Sequence, residues 1–346
     1  MSKEIHHSIT ELVGKTPLLA LRGFTHQHQL AAEVIAKLEY FNPNNSIKDR
    51  IALAMVEQAE RSGKLKPGYT LVETTSGNTG IGLAAIAAAK GYKFRVYIND
   101  YVSKERTKVV QAFGGEVIKF SEVENFLEIL EASDGDFVAA TKWLENNVIA
   151  KLPDHYFTAQ LENPANPNIH SVTTGPEIWQ QTDGQLDIVI AAVGTGGTVS
   201  GVGQFLRQQN PAVQIIAVEP GVNSRPSADN PDPLEITGVH QFTDIAPERI
   251  PPTMNTHIYH EALAVETWQA YQAAREVAQS DGILIGESSG AVLHAAKIVA
   301  SRPENEGKKI VVILADSGLT YLSTDLFNGD VTIEQLKTAR AQLADG

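Results

Sequence analysis

Strand-like segments alternate with helix-like segments along most of this sequence, and in three places the connection is a polar loop that contains glycine. These loops read Thr75-Ser-Gly-Asn-Thr-Gly, Gly194-Thr-Gly-Gly-Thr and Gly286-Glu-Ser-Ser-Gly-Ala. Repeated units of strand, loop and helix predict parallel sheets covered by helices, because a parallel strand needs a crossover connection before its neighbour. The pattern therefore predicts an α/β fold.

The length of 346 residues suggests two domains of ordinary size. A run with two Asn-Pro pairs, Asn163-Pro-Ala-Asn-Pro, is typical of a connection and predicts the crossing between them. We predict an N-terminal domain over residues 1–161, a C-terminal domain over residues 162–330 and a final helix within residues 331–346. The opening segment of about 45 residues is expected to cross to the C-terminal domain. Gly282-Ile-Leu-Ile is expected to form a short strand.

Composition excludes several classes of protein. The chain has 28 basic and 41 acidic residues, a formal charge of -13, which argues against general binding to nucleic acid or to an anionic membrane. No run of eighteen apolar residues and no signal-peptide core are found, so a cytoplasmic protein is expected. The absence of cysteine excludes disulfides, thiolate metal sites and a cysteine nucleophile, and no metal site is predicted.

One lysine lies where a loop rich in Pro and Asn turns into a helix, within Asn42-Pro-Asn-Asn-Ser-Ile-Lys-Asp. Lys48 therefore occupies the first turn of the helix that follows. The positive pole of a helix disfavours an ammonium group, which biases Lys48 toward its neutral, nucleophilic form. The alternative is an ordinary solvated lysine.

The loop Gly194-Thr-Gly-Gly-Thr, called here the phosphate loop, follows a buried strand and opens a helix. Free backbone N–H groups and the helix dipole bind a phosphate in such a loop. A dinucleotide fold would need glycine where Val199 stands, although Glu219 lies about twenty residues on, where the ribose ligand would be. The loop therefore favours a monophosphate, and a purely structural glycine turn is the alternative.

The loop Thr75-Ser-Gly-Asn-Thr-Gly, called here the carboxylate loop, places hydroxyls and an amide at another helix start and suits a carboxylate. Helix capping explains one of these hydroxyls and not the whole cluster. For the third loop, capping alone is a sufficient explanation. A neutralisable lysine, a phosphate site and a carboxylate site together suggest pyridoxal phosphate with an amino-acid substrate.

With these motifs in order, the chain resembles the cysteine synthase and cystathionine β-synthase family, the fold type II pyridoxal-phosphate enzymes related to the tryptophan synthase β subunit. The resemblance extends from Ile9 to about Phe327. Its landmarks are Gly14-Lys-Thr-Pro-Leu, Asn42-Pro, Ser46-Ile-Lys, Thr75-Ser-Gly-Asn-Thr-Gly, Asn163-Pro-Ala-Asn-Pro, Thr173-Thr-Gly-Pro-Glu-Ile-Trp, Gly194-Thr-Gly-Gly-Thr and Ser288-Ser-Gly-Ala. It implies two open twisted α/β domains with the cofactor, pyridoxal 5'-phosphate, in the cleft between them.

The resemblance also implies residue roles. Lys48 resembles the lysine that holds the cofactor as a Schiff base and moves the substrate's α-proton. Asn78 resembles the partner of the cofactor O3′ atom, and Ser288 the partner of the pyridine nitrogen. The residues that match the substrate carboxylate site are Thr75, Ser76, Asn78, Thr79 and Gln160, and those that match the phosphate site are Gly194, Thr195, Gly196, Gly197 and Thr198.

The activity implied is β-replacement on an L-serine derivative: O-acetylserine and sulfide give L-cysteine through an aminoacrylate intermediate. The family also implies a homodimer and a possible partner, serine acetyltransferase. A condensation of the cystathionine β-synthase type is a further alternative. A non-catalytic paralogue that only binds a partner is the alternative from another class.

Three departures from the family concern the second substrate. Relatives have a glycine-rich segment where this chain has Gly238-Val-His-Gln-Phe-Thr-Asp, called here the Asp244 loop, which introduces His240, Gln241 and Asp244. Asp244 could activate water, so that cysteine is converted to serine and sulfide, or it could hold the amino group of an incoming or outgoing cysteine. The structural alternative is an aspartate that caps a solvated turn. In addition, Thr74 replaces a proline, and Ala315-Asp-Ser-Gly-Leu-Thr-Tyr-Leu replaces Pro-Ser-Ser-Gly-Glu-Arg-Tyr-Leu.

Overall fold

The computed structural model describes residues 5–75, 77–100, 104–133, 135–227 and 230–328, which form two β-sheets covered by α-helices. The strands are β1 Leu18–Ala20, β2 Glu33–Leu38, β3 Thr70–Thr74, β4 Lys93–Ile98, β5 Glu116–Lys119, β6 His155–Phe157, β7 Ile188–Ala192, β8 Gln214–Pro220, β9 Glu261–Val265 and β10 Lys309–Leu314. The helices are α1 Arg22–Gln27, α2 Lys48–Arg61, α3 Asn78–Lys90, α4 Lys104–Ala112, α5 Phe126–Ala132, α6 Phe137–Asn147, α7 Ala165–Ile169, α8 Gly175–Gln181, α9 Gly197–Gln209, α10 Thr267–Asp281 and α11 Glu287–Ala300.

The larger sheet has the strand order β1-β2-β10-β7-β8-β9. Its neighbouring strands are parallel except for the antiparallel pair β1 and β2. Strand β10 lies in the interior of this sheet and is rich in Val and Ile that are buried, as expected for a parallel strand with helices on both faces. Strand β2, which lies within the first forty residues, thus pairs with β10, which ends at Leu314.

The smaller sheet has the order β5-β4-β3-β6, and its neighbouring strands are all parallel. The carboxylate loop follows β3, the phosphate loop follows β7, and residues 315–321 follow β10. In open parallel sheets, ligands bind outside the carboxyl ends of the strands, because loops and helix N-termini meet there. The fold therefore places these three connections at edges where small molecules are commonly bound.

Helix α3 packs closely against α2, which explains its run of small residues. A Cβ atom added at Gly82 of α3 would lie 3.3 Å from the Cβ of Ala52 and 3.3 Å from the carbonyl oxygen of Lys48. A larger residue at position 82 would push α2 away. The alanine-rich character of α3 thus fixes the position of the helix that begins with Lys48.

A π-helical turn, His170–Thr174, joins α7 to α8 in one continuous helical segment. Turns of this kind are rare inside helices and often occur at functional sites. Here the turn brings His170 toward the phosphate loop, where its Nε2 atom lies 3.4 Å from the Thr198 Oγ1 atom. The sequence did not suggest this feature.

The predicted α/β fold class is confirmed. The predicted strand at Gly282-Ile-Leu-Ile is wrong, because this segment makes only an isolated bridge between Ile285 and Ser317. Strand β9 and helix α1 were not predicted. The predicted C-terminal helix at residues 333–343 lies outside the described residues, and the domain boundaries stay predictions. Within the described residues, the helices are too short or too polar to span a lipid bilayer.

Candidate active site

Lys48 is the first residue of α2, and the chain just before it is tied to the end of β10. The Ile47 N–H donates to the carbonyl oxygen of Ala315 at 2.8 Å, and Ser46 forms an antiparallel bridge with Asp316. The Lys48 N–H donates to Ser46 Oγ at 3.2 Å, which satisfies one of the free donors at the helix start. The larger sheet therefore sets the position of Lys48.

Burial lowers the pKa of the Lys48 amine, and the charge of Asp316 acts in the opposite direction. Burial prevails because an ammonium group loses more on leaving water than one opposite charge returns. A lowered pKa increases the fraction of neutral amine near neutral pH, as nucleophilic catalysis requires. The direction of this shift agrees with the reasoning from the helix N-terminus.

Two residues predicted for the substrate carboxylate are in direct contact although they are far apart in sequence. The Thr79 hydroxyl donates to Gln160 Oε1 at 2.7 Å, and Gln160 Nε2 donates to the carbonyl oxygen of Thr74 at 3.2 Å. Thr75 accepts a hydrogen bond from the loop backbone two residues on, at 3.2 Å. Ser76 lies outside the described residues. The structure thus brings the carboxylate loop and Gln160 together.

The buried carboxylate of Glu73, which the sequence did not suggest, forms hydrogen bonds next to the contact between Thr79 and Gln160. Glu73 accepts hydrogen bonds from the Thr74 N–H at 2.8 Å, the Thr158 hydroxyl at 2.6 Å and the Gln160 N–H at 2.9 Å. Burial raises the pKa of Glu73 to about 7, although these hydrogen bonds favour its ionised form. Glu73 therefore orients the backbone on both sides of the predicted substrate site.

The phosphate loop adopts the backbone geometry that its glycines predict. Gly196 has a φ of 80°, and a Cβ atom there would lie 2.5 Å from the Cβ of Met254. A Cβ atom on Gly197 would lie 2.0 Å from Asn166 Oδ1. Because these positions exclude side chains, the loop presents backbone rather than side chains at the start of α9, as binding of an anion by backbone N–H groups requires.

Asn166 connects the phosphate loop to Gln160. Its Nδ2 atom donates to Thr195 Oγ1 at 2.9 Å and to the carbonyl oxygen of Gln160 at 2.8 Å. The Thr253 hydroxyl donates to the carbonyl oxygen of Thr195 at 2.6 Å and fixes the other side of the loop. A chain of hydrogen bonds therefore runs from Thr79 of the carboxylate loop, through Gln160 and Asn166, to the phosphate loop.

Asn78 and the turn that carries Ser288 meet at Asp316. Asn78 Nδ2 donates to Asp316 Oδ2 at 2.7 Å, and the Gly286 N–H donates to the carbonyl oxygen of Asp316 at 3.3 Å. Ser288 is partly buried in the first turn of α11. Residues predicted for the cofactor O3′ atom, for its ring nitrogen and for its covalent attachment are thus all fixed to the segment that follows β10.

The described residues fit pyridoxal phosphate. The cofactor carries a phosphate, an aldehyde, a phenolic oxygen and a ring nitrogen, and the site offers a donor set for each. The backbone of the phosphate loop suits the phosphate, the Lys48 amine the aldehyde, the Asn78 amide the phenolic oxygen and the Ser288 hydroxyl the ring nitrogen. In addition, the buried Asp316 Oδ1 atom has no hydrogen-bond partner among the described residues, as expected beside a ligand site.

The Asp244 loop is held by Glu219, the residue that a dinucleotide fold would use for ribose. The Glu219 carboxylate accepts the Phe242 N–H at 3.0 Å, the Thr243 N–H at 3.1 Å and the Thr243 hydroxyl. Because the Glu219 carboxylate accepts these hydrogen bonds from the loop, it is not available to bind a ribose. This supports the preference for a monophosphate over a dinucleotide. Asp244 is exposed, with a φ of 53°. Its assignment as a catalytic residue stays a prediction.

His240, in the same loop, is close enough to Lys48 for the charge of Lys48 to affect its pKa. The backbone N–H of His240 donates to the carbonyl oxygen of Val193 at 2.8 Å, and Val193 directly precedes the phosphate loop. Surrounding protein atoms lower the pKa of His240, and the Lys48 charge lowers it further, although the residue retains contact with solvent. A neutral imidazole therefore lies near the predicted reaction centre.

The sequence and the structure are similar to those of known enzymes. The profile of the family described as pyridoxal-phosphate dependent enzyme matches residues 9–316. A cysteine synthase of Staphylococcus aureus is 41% identical over 331 residues, which cover 95% of this chain and 100% of the relative. An O-acetylserine sulfhydrylase, isoform 3, of Entamoeba histolytica is 35% identical with a TM-score of 0.79, and 96% of each chain is covered. A hydrogen sulfide-producing enzyme of Fusobacterium nucleatum is 33% identical with a TM-score of 0.80, covering 92% of this chain and 99% of that one.

The fold and the site thus define an enzyme that uses pyridoxal phosphate, and the chain belongs to the family of pyridoxal-phosphate-dependent enzymes. Within that family, its similarity to cysteine synthase extends over nearly the whole chain. The predictions of an enzyme, of this cofactor and of the resemblance to cysteine synthase are confirmed. The roles of individual residues remain proposals, and they are developed below.

Proposed function

We propose that this protein catalyses β-replacement on an activated L-serine. O-acetyl-L-serine and hydrosulfide react to give L-cysteine and acetate, so that a C–O bond at Cβ is broken and a C–S bond is formed. The observation that carries the proposal is the similarity to a cysteine synthase over the full length of that relative. The hydrogen-bond chain from the carboxylate loop to the phosphate loop supports it, because it holds the two predicted anion sites at a fixed separation.

Bound pyridoxal phosphate supplies an electron-withdrawing ring that stabilises negative charge at the substrate Cα atom. The residues of this chain bind and orient the reactants. Thr75, Thr79 and Gln160 would hold the amino-acid carboxylate, since their hydroxyl and amide groups gather at the N-terminus of α3. Glu73 keeps Gln160 in place through the backbone N–H of that residue. The substrate Cα would then face Lys48.

Lys48 would carry the cofactor covalently in the resting enzyme and then act as the base at Cα. Its lowered pKa allows the free amine to accept the α-proton near neutral pH. The ammonium group formed by this proton transfer would lie close to Asp316, whose negative charge stabilises it. After sulfide has added at Cβ, the same amine would return the proton to Cα.

The direct test is cysteine formation by the purified holoenzyme supplied with O-acetyl-L-serine and sulfide. Lys48→Ala is expected to lower kcat by at least about a thousandfold, because both the attachment of the cofactor and the proton transfer are lost. Lys142→Ala is the matched control, since Lys142 lies on the exposed face of α6, where it pairs with Glu145 and Glu162. Wild-type enzyme that forms no cysteine from these substrates would contradict the proposal.

A second candidate function is release of sulfide from L-cysteine, with water as the nucleophile and L-serine as the product. The Asp244 loop favours it, because this loop replaces a glycine-rich segment of relatives and is held rigidly by Glu219. The similarity to a hydrogen sulfide-producing enzyme supports the same candidate. In this candidate, Asp244 would accept a proton from the attacking water.

Cysteine supplied alone separates the two functions. Sulfide release that falls at least about tenfold in Asp244→Asn would support the second candidate, while β-replacement with sulfide should be nearly unchanged, since hydrosulfide needs no base. Sulfide release unchanged in Asp244→Asn would remove Asp244 from the mechanism. Addition of homocysteine to the same assay tests condensation of the cystathionine β-synthase type.

We also propose, from the family resemblance, a cytoplasmic homodimer that can bind serine acetyltransferase. Light scattering of the purified protein at several concentrations tests the dimer, and fractionation of the source cells tests the location. Co-purification with the acetyltransferase encoded by the same genome tests the partner. A monomer at every concentration would contradict the first of these proposals.

A further inference from the structure

Asp316 lies at the centre of the site, at a position where the resemblance to the family implies serine. Its side chain is buried, with a residue exposure of 2%. The Oδ2 atom accepts hydrogen bonds from Asn78 Nδ2 and from the Tyr321 hydroxyl, both at 2.7 Å. Burying a carboxylate costs free energy that a neutral serine at the same position would not cost. Packing alone therefore does not explain an aspartate here.

The other oxygen of Asp316 points away from these donors. Oδ1 is buried and has no hydrogen-bond partner among the described residues. It lies beside Gly286, where an added Cβ atom would come within 2.1 Å of it. Gly286 precedes Ser288 by two residues in the turn that starts α11. The carboxylate therefore extends from Asn78, expected at the cofactor O3′ atom, to the turn that carries the expected partner of the ring nitrogen.

The charged and titratable groups around Asp316 come from three other segments and from its own segment after β10. Lys48 and Arg106 are positive, Glu287 is negative, and the Tyr321 hydroxyl donates a hydrogen bond. Arg106 also lies over the Tyr321 ring, with its guanidinium carbon 5.2 Å from the ring centroid. Burial raises the pKa of Asp316, while the Tyr321 and Asn78 hydrogen bonds and the Arg106 charge favour the carboxylate.

We propose that Asp316 is a positioning residue that tunes the bound cofactor in two ways. It fixes the Asn78 amide with an N–H directed at the O3′ atom, and it places a negative charge beside the ring through its unpaired Oδ1 atom. An amide N–H offered to O3′ stabilises negative charge on that oxygen, and the carboxylate stabilises positive charge on protonated nitrogen atoms of the cofactor. A serine at this position supplies neither the charge nor a second acceptor.

Two substitutions separate the charge from the hydrogen bond. Asp316→Asn removes the charge but keeps a carbonyl oxygen that can accept from both Asn78 and Tyr321, and its NH₂ group then occupies the unpaired Oδ1 position. Asp316→Ser introduces the residue that the family resemblance implies, so the fold is expected to survive. Asp281→Asn is the matched control, because Asp281 accepts two backbone N–H groups at the start of α1 and touches no residue of the site.

The readout is the visible absorption spectrum of each holoenzyme during titration across about pH 6 to 10, together with the dissociation constant of pyridoxal phosphate. Loss of a nearby opposite charge lowers the pKa of a protonated group by about 1 to 3 units. In Asp316→Asn the protonated form of the bound cofactor should therefore be lost at a pH lower by about that amount. Asp316→Ser should show the same shift and also weaken cofactor binding, since Asn78 is released.

Spectra of Asp316→Asn that coincide with those of the wild type at every pH would overturn the tuning role. A shift of equal size in Asp281→Asn would also overturn it, because the effect would then follow general destabilisation. Cofactor affinity unchanged in Asp316→Ser would overturn the positioning of Asn78. This inference rests on the proposed cofactor site but does not depend on cysteine formation, so its failure is distinguishable from failure of the proposed function.

Discussion

A buried network of charges holds the helix that begins with Lys48, and its energetic weight can be predicted. Arg50 of α2 donates from Nη1 to Glu177 Oε1 at 2.8 Å and from Nη2 to Glu177 Oε2 at 2.7 Å. Arg50 also donates to Glu39 at 2.7 and 2.9 Å, and Lys37 Nζ donates to Glu177 at 2.7 Å. The network thus connects the end of β2, the first turn of α2 and helix α8.

The perturbation that tests this network is Glu177→Gln, which removes one charge and keeps the size of the side chain. Burial opposes the ionisation of Glu177, but the hydrogen bonds and charges of Arg50 and Lys37 outweigh it and lower the pKa of Glu177 from 4.5 to about 2. At about 1.4 kcal/mol per pKa unit, this shift corresponds to about 3 kcal/mol of stability at pH 7. The side chain is 17% exposed, so solvent screens it little.

The pH dependence of the difference has a definite sign. A carboxyl group with a depressed pKa stabilises the folded state at pH values above its unfolded pKa, and this stabilisation is lost as the pH falls through the folded value. The difference between wild type and Glu177→Gln should therefore be about 3 kcal/mol at pH 7, about 1 kcal/mol at pH 3 and negligible below pH 2.

The assay is urea unfolding of the holoenzyme, followed by circular dichroism at neutral and acidic pH. Glu57→Gln is the matched control on α2, since Glu57 forms an exposed pair with Arg61 at 3.4 Å, and such pairs contribute little. A Glu177→Gln variant whose unfolding free energy at pH 7 lies within about 0.5 kcal/mol of the wild type would refute the reasoning, because a surface substitution alone gives that much. A difference that persists unchanged to pH 2 would refute the electrostatic origin.

Three further outcomes follow from single contacts at the site. Gly197→Ala places a Cβ atom where Asn166 Oδ1 now lies, so pyridoxal phosphate titrations should give a dissociation constant at least about tenfold higher, and an unchanged constant would contradict the proposed phosphate site. Thr79→Val removes the hydrogen bond to Gln160 and should raise KM for the amino acid about three- to tenfold in steady-state assays, with the cofactor spectrum unchanged. Glu219→Gln weakens the hydrogen bonds that hold the Asp244 loop and should change KM for the second substrate without changing cofactor affinity. A change in cofactor affinity with KM unchanged would show that the loop does not line the path of the second substrate.

The parts of the site that the sequence predicts are those with a local signature. The phosphate loop follows a strand and opens a helix, and Gly196 adopts a positive φ, which glycine allows without strain. Lys48 begins its helix, as the composition of the following residues indicates. These features depend on neighbours within a few residues, so pattern and propensity suffice to find them.

The parts that the sequence does not predict depend on residues far apart in the chain. Asn166 acts by connecting the backbone of Gln160 with Thr195, and no local pattern indicates either contact. Asp316 departs from the family pattern in the sequence, but only the fold brings it into contact with Asn78. The segment at Gly282 alternates like a strand but lacks a partner beyond one bridge, since pairing decides whether an extended segment becomes a strand.

The departures of this chain from its relatives are coupled to buried carboxylates. Thr74 replaces a proline, and its N–H, which proline lacks, donates to Glu73 at 2.8 Å. Asp316 replaces a serine, and its charge lies beside Lys48. Thr74 thus adds a hydrogen bond to the buried carboxyl group of Glu73, and Asp316 adds a buried carboxyl group beside Lys48. In the proposed arrangement both departures lie near the base and the substrate carboxylate, so they should alter proton transfer and substrate choice, while Asp316 also acts on the bound cofactor.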